Sequence, residues 1–139
     1  MLKLLTIAVD FDGTLVENEY PQIGKPILFA FETLKKLQRE GHQIILWTYR
    51  SGIKLEEAVA YCEKKGITFY AVNKSFPEEE FDPAVSRKIL ADLYIDDRNL
   101  NGLPPWGEIY HQLTHTKPEP PKAEPKKKKS LLKYFKIKL

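Results

Sequence analysis

Short apolar runs alternate with amphipathic segments along the chain, and three of the four runs end at a residue that carries chemistry. Leu4 to Val9 stops at Asp10, Ile44 to Trp47 stops at Thr48, Thr68 to Val72 is a third run, and Leu93 to Ile95 stops at Asp96. Runs this short, with little polar alternation, are the pattern of strands covered on both faces. Between the first two, Ile27, Phe31, Leu34 and Leu37 share one helical face over residues 27–39, and Gly41 stands where a helix C-terminal glycine belongs. Further helices are predicted over 54–65, ending at Gly66, over 83–90 and over 105–113. Strands alternating with helices imply right-handed crossovers and a mostly parallel sheet, hence a three-layer α/β/α sandwich.

The length of 139 residues suits one ordinary domain, and 42% apolar residues supply a core. Charge divides the chain. Residues 117–139 hold nine lysines and two glutamates, so the total of +3 leaves −4 for residues 1–116. The predicted organisation is a folded domain over 1–116 and a basic, Pro- and Lys-rich tail over 117–139 that ends in a short apolar-basic segment. Such a tail suits nucleic acid or an anionic membrane, and a solubilising extension explains it equally well. The lone cysteine, Cys62, continues a helical series with Leu55 and Val59, so it reads as a core thiol, and a chain without an internal disulfide fits a cytoplasmic setting. The apolar run before Asp10 is too short for a signal peptide, and no stretch is long enough to span a bilayer.

The aspartates are the most informative residues. Asp10 and Asp12 follow the first run; Asp96 and Asp97 follow the fourth. In a parallel sheet the C-terminal strand ends share one edge, where ligands bind. Four carboxylates would meet there, and they cannot all stay ionised unless a cation joins them or some take up protons. Hard oxygen ligands favour magnesium, which commonly bridges to phosphate. A calcium loop beginning at Asp10 is the competing interpretation of Asp-x-Asp-Gly. It would need an acid where Thr14 stands and a glutamate where Pro21 stands, so it fails on two positions.

These residues resemble the motifs of the haloacid dehalogenase superfamily. Asp10-Phe-Asp-Gly-Thr is similar to its first motif, the run ending at Thr48 to its second, Lys88 to its third, and Tyr94-Ile-Asp96-Asp97 to its fourth. The resemblance spans about residues 4–113 and implies a Rossmann-like fold and a phosphatase. It implies that Asp10 is the nucleophile and is transiently phosphorylated, and that Asp12 is the acid and base. Thr48 and Lys88 would complete the catalytic set, and Thr48, Tyr49, Lys88 and Arg98 would bind substrate. Mg2+ would be held by Asp10, the backbone carbonyl of Asp12, and one or both of Asp96 and Asp97. Lys74, in the preceding loop, is the other candidate for the site lysine. Trp47 and Trp106 read as core aromatics.

Many relatives carry a cap domain after the first motif or between the second and third. Here Asp12 to Thr48 spans 36 residues and Thr48 to Lys88 spans 40, which leaves no room for one. The loop from Glu17 to Pro26 would serve as a small flap, with Tyr20 facing substrate. An open site suits a bulky phosphorylated substrate, or a homo-oligomer that covers it. Polynucleotide 3′-phosphatase activity, with the tail on the nucleic acid, and a non-catalytic phosphate-binding scaffold are the alternative functions.

Overall fold

The structure is a computed structural model that describes residues 3–114; the tail and His115 lie outside the described residues. Four strands form one parallel sheet: β1 (Thr6–Val9), β2 (Gln43–Leu46), β3 (Ala71–Val72) and β4 (Leu93–Ile95), in the order β3-β2-β1-β4. Three helices accompany them: α1 (Ala30–Arg39), α2 (Gly52–Lys64) and α3 (Trp106–Thr114). The fold is therefore the expected α/β, Rossmann-like parallel sheet. Among the described residues no cap domain stands over the sheet edge, and no helix is long and apolar enough to cross a membrane.

Side-chain alternation along the strands divides the core. Ile7, Val9, Ile44, Leu46 and Ile95 join Phe31, Leu34 and Leu37 of α1, Ala58 and Cys62 of α2, and Trp106 and Ile109 of α3. Ala8, Ile45 and Ala71 face the other way and pack with Ile89. The asymmetry follows from chirality. The chain steps from β1 to β2 to β3 in one direction, so right-handed crossovers leave α1 and α2 on the same face. The return from β3 to β4 passes back over β2 and β1, so residues 73–92 cover the opposite face.

That covering segment is not helical, contrary to the expectation for 83–90. Asp82 Oδ1 accepts Ala84 N–H at 2.9 Å, a bond suited to a helix start, but Lys88 N–H then donates to Ser86 Oγ at 3.1 Å where a helix would direct it to Ala84 O. The Ser86 bond competes with the helical ladder. Phe81, Val85 and Leu90 are exposed, so the segment has no continuous apolar face that would reward a helix.

Other boundaries move for similar local reasons. α1 begins three residues later than expected, because Ile27 N–H is taken by Leu15 O at 2.9 Å and Phe29 adopts a left-handed φ of 66°. Gly41, at φ 101°, ends the helix as anticipated. Cys62 is fully buried and burial pushes its thiol up to about 12, which makes it a core residue.

Candidate functional site

Register puts the chemistry on one edge. Val9 of β1 pairs with Leu46 of β2 on one side and Ile95 of β4 on the other, so the next residues, Asp10, Trp47 and Asp96, emerge level. The pairing continues past the strands, with Asp10 N–H donating to Ile95 O at 3.0 Å and Trp47 N–H to Val9 O at 2.8 Å. Because β2 and β4 flank β1 while the chain reverses direction between them, Asp10 sits at the switch point of the sheet.

Asp10, Asp96 and Asp97 each bring one carboxylate oxygen within 4.8 Å of the others. Two small residues make this possible. Gly13 has φ 84°, and a β-carbon on it would lie 2.4 Å from Asp97 Oδ2. Thr14 is fully buried; its hydroxyl lies 3.0 Å from Asp10 Oδ2 and 3.1 Å from Asp97 Oδ1, and accepts the Asp97 backbone N–H at 3.0 Å. Trp106 Nε1–H donates to Thr14 O at 2.9 Å, so α3 anchors the same loop.

The crowding shows in the electrostatics. Asp10 is pushed up to about 7, first by burial, then by its hydrogen bond with Asp97 and by the charge of Asp96, while bonds from Thr14 and the Phe11 backbone pull the other way. Three converging carboxylate oxygens form a hard donor set that fits a divalent cation. The folded chain without such an ion thus holds a proton on Asp10 that the unfolded chain has released. Metal-free protein is expected to lose stability as pH rises from about 4 through about 7, and the Asp10→Asn variant to lose less. Thermal unfolding across that range in chelator measures both; equal slopes would return Asp10 to an ordinary carboxylate.

Asp12 leaves this cluster. Its two oxygens accept Arg50 Nε–H at 2.8 Å and Nη2–H at 2.7 Å, a bidentate ion pair in which the Arg50 side chain is wholly buried. The pair holds the Arg50 guanidinium even more firmly protonated than usual. The same guanidinium donates to Pro21 O at 3.1 Å and Gln22 O at 2.7 Å, and lies 5.0 Å from the Phe11 ring centroid and 5.1 Å from that of Tyr20. Arg50 therefore fastens the loop 17–26 to Asp12. That loop is pinned at its base as well, by Glu17 N–H to Lys25 O at 2.8 Å. It walls one side of the site, and Tyr20 lines the cavity there.

A cavity of about 820 Å³ opens at this edge, lined by Asp10, Asp12, Asn18, Tyr20, Trp47, Thr48, Tyr49, Asp96 and Arg98. Thr48 N–H donates to Asn73 Oδ1 at 2.8 Å, and Thr48 Oγ1 accepts Arg50 N–H at 3.2 Å, leaving its own proton free to donate. Trp47 lines this cavity and is half-buried, so it is only partly the core residue expected; Trp106 is buried. Lys88 is exposed, with its ammonium 5.8 Å from the Tyr94 ring centroid, and neither Lys88 nor Lys74 lines the cavity. Arg98 is the cation that does. Arg50, Thr14 and Asn73 had no role assigned from sequence; the threonine of Asp-Phe-Asp-Gly-Thr was the one visible signal.

No protein-family model matches the chain, and no curated protein matches it. Among solved structures, a conserved protein coded by a locus of Bacteroides thetaiotaomicron aligns at a TM-score of 0.78 with 53% identity, over 84% of this chain and 94% of its own. The chain belongs to that protein's family. At such identity the two chains share the fold, and the chemistry of the edge rests on the residues that stand there.

Proposed function

We propose that this chain is a magnesium-dependent phosphomonoester hydrolase of the haloacid dehalogenase type, acting through an aspartyl-phosphate on Asp10. The observation that carries this reading is the meeting of Asp10, Asp96 and Asp97 within 4.8 Å at the switch point, between strands far apart in sequence. Asp10, Asp96 and Asp97 would hold the ion, with the Asp12 carbonyl as a further ligand that the resemblance implies. When bound, magnesium supplies charge neutralisation for these carboxylates and for a phosphoryl group.

The chain's own residues do the rest. An Asp10 oxygen attacks phosphorus; the bond from phosphorus to the ester oxygen breaks, and its electron pair leaves on that oxygen, which takes up a proton. Water then attacks phosphorus, the bond to Asp10 breaks, and inorganic phosphate departs with Asp10 restored. Thr48 donates its free hydroxyl proton to a phosphoryl oxygen, and Arg98 brings positive charge to the pocket. In this reading Asp12 gives the leaving oxygen its proton and takes one back from the attacking water, through a carboxylate lone pair that the two Arg50 bonds leave open. Lys88 does not line the cavity and Arg98 does, so Arg98 is the better source of charge. A reducing cytoplasmic setting fits the buried, lone Cys62.

The test is release of phosphate from p-nitrophenyl phosphate by the full chain with Mg2+ and with chelator. Removing the ion is expected to lower turnover roughly 100-fold, equivalent to about 3 kcal/mol of transition-state stabilisation. A folded chain that hydrolyses nothing on a broad phosphoester panel would sink the reading and favour a phosphate-binding scaffold.

A further inference from the structure

We infer that the site selects phosphomonoesters whose leaving group carries a planar aromatic ring, held by stacking against Tyr49, Trp47 and Tyr20. This rests on the hydrolase reading above and names its substrate class.

Several of the cavity's polar groups already have partners. Asp10 and Asp96 belong to the carboxylate cluster, both Asp12 oxygens are on Arg50, and Asn18 Oδ1 accepts the Tyr20 N–H at 3.4 Å. Thr48 and Arg98 serve the phosphoryl group, which leaves the Asn18 amide N–H and the tyrosine hydroxyls to meet the hydroxyls of a sugar or polyol. What the wall offers is aromatic surface. Tyr49 is 94% exposed and Tyr20 is 51% exposed, so both offer ring surface to a ligand. Trp47 packs one side on the Ala8–Ile45 cluster and turns the rest to the cavity.

Tyr49 and Tyr20 are presented differently. Tyr49 follows Thr48, the expected phosphoryl donor, and lines the same cavity. Tyr20 lies over the Arg50 guanidinium, which is itself locked by Asp12 and by the carbonyls of Pro21 and Gln22. A ring held on one face by a buried cation is a rigid platform, and rigid platforms lose little freedom on binding. The cavity, about 820 Å³, accommodates a ligand the size of a nucleoside monophosphate. Exposed aromatic faces stack any planar base or aryl group, whatever its hydrogen-bonding pattern.

Matched pairs of substrates test this with the full chain and Mg2+. Adenosine 5′-monophosphate against ribose 5-phosphate isolates a nucleobase; 2-phenylethyl phosphate against propyl phosphate isolates a simple ring at similar leaving-group basicity. The ring-bearing member of at least one pair is expected to have a KM about 10-fold lower, and Tyr49→Ala to reduce that preference about 10-fold, within the range for loss of one base–aromatic stack. Preference in the first pair alone identifies a nucleotide; preference in both identifies any aromatic ester. Equal KM values within both pairs, or a preference untouched by Tyr49→Ala, overturns the inference while leaving the hydrolase standing. A second readout needs no turnover: quenching of Trp47 fluorescence in Asp10→Asn by adenosine monophosphate but not by ribose 5-phosphate. Ring-dependent quenching with no hydrolysis by the wild-type chain would uphold the ring site and overturn the hydrolase; absence of both quenching and ring preference overturns the ring site.

Discussion

Asp10→Asn is expected to reduce turnover of p-nitrophenyl phosphate by roughly 10⁴–10⁶-fold, the scale seen when a catalytic nucleophile is removed. The substitution keeps shape and keeps one acceptor, so the Thr14 hydroxyl, 3.0 Å from Asp10 Oδ2, retains a partner. What it removes is the nucleophilic oxygen and one negative charge. The second loss has its own signature. Asp10 is pushed up to about 7 by burial and by Asp97 and Asp96, so a neutral amide relieves a repulsion that the metal-free protein carries at neutral pH. The variant should therefore be inactive and, in chelator at pH 7.5 or above, no less stable than wild type. Unfolding experiments run beside the assay separate this from simple misfolding. Turnover that survived the substitution would remove Asp10 as the nucleophile and with it the aspartyl-phosphate.

The features legible in sequence were those whose signal is local and continuous. Strands buried on both faces must be apolar at every position, so Ile7-Ala-Val and Ile44-Ile-Leu stood out, and the aspartates were visible because they interrupt such runs. Helix ends at Gly41 and Gly66 followed from glycine's access to positive φ. Features that depend on distant pairing were not legible. Arg50 looks like any basic residue after a strand; only the sheet register brings it to Asp12, 38 positions earlier. Over 83–90 the chain forms turns where a helix is expected, because Ser86 Oγ accepts the Lys88 N–H that a helical ladder would direct to Ala84 O. That loss also removes the reason to expect Lys88 at the edge, since an assignment by sequence spacing alone presumes an element that delivers the side chain there. Trp47 divided its character because its strand end is where the core meets the cavity.

The second large effect lies in the ion pair that sequence did not announce. Asp12→Ala is expected to cost about 3–5 kcal/mol of folding stability, the scale for removing one partner of a buried pair. Arg50 would then keep its charge with its side chain wholly shielded from water, supported only by the carbonyls of Pro21, Gln22 and Lys54 and the rings of Phe11 and Tyr20. Partial charges on carbonyls do not replace a bidentate carboxylate. Asp12→Asn, which retains one acceptor, should lose less. Replacing both members, as Asp12→Leu with Arg50→Leu, should cost less than the sum of the two single changes, because the coupling disappears with both partners. Urea unfolding of the four proteins gives the cycle directly. The outcome also divides two roles for Asp12. If it acts through protons alone, Asp12→Ala slows turnover and leaves the unfolding midpoint where it was; if the clamp on the 17–26 loop is what matters, stability and the Tyr20 wall fall together.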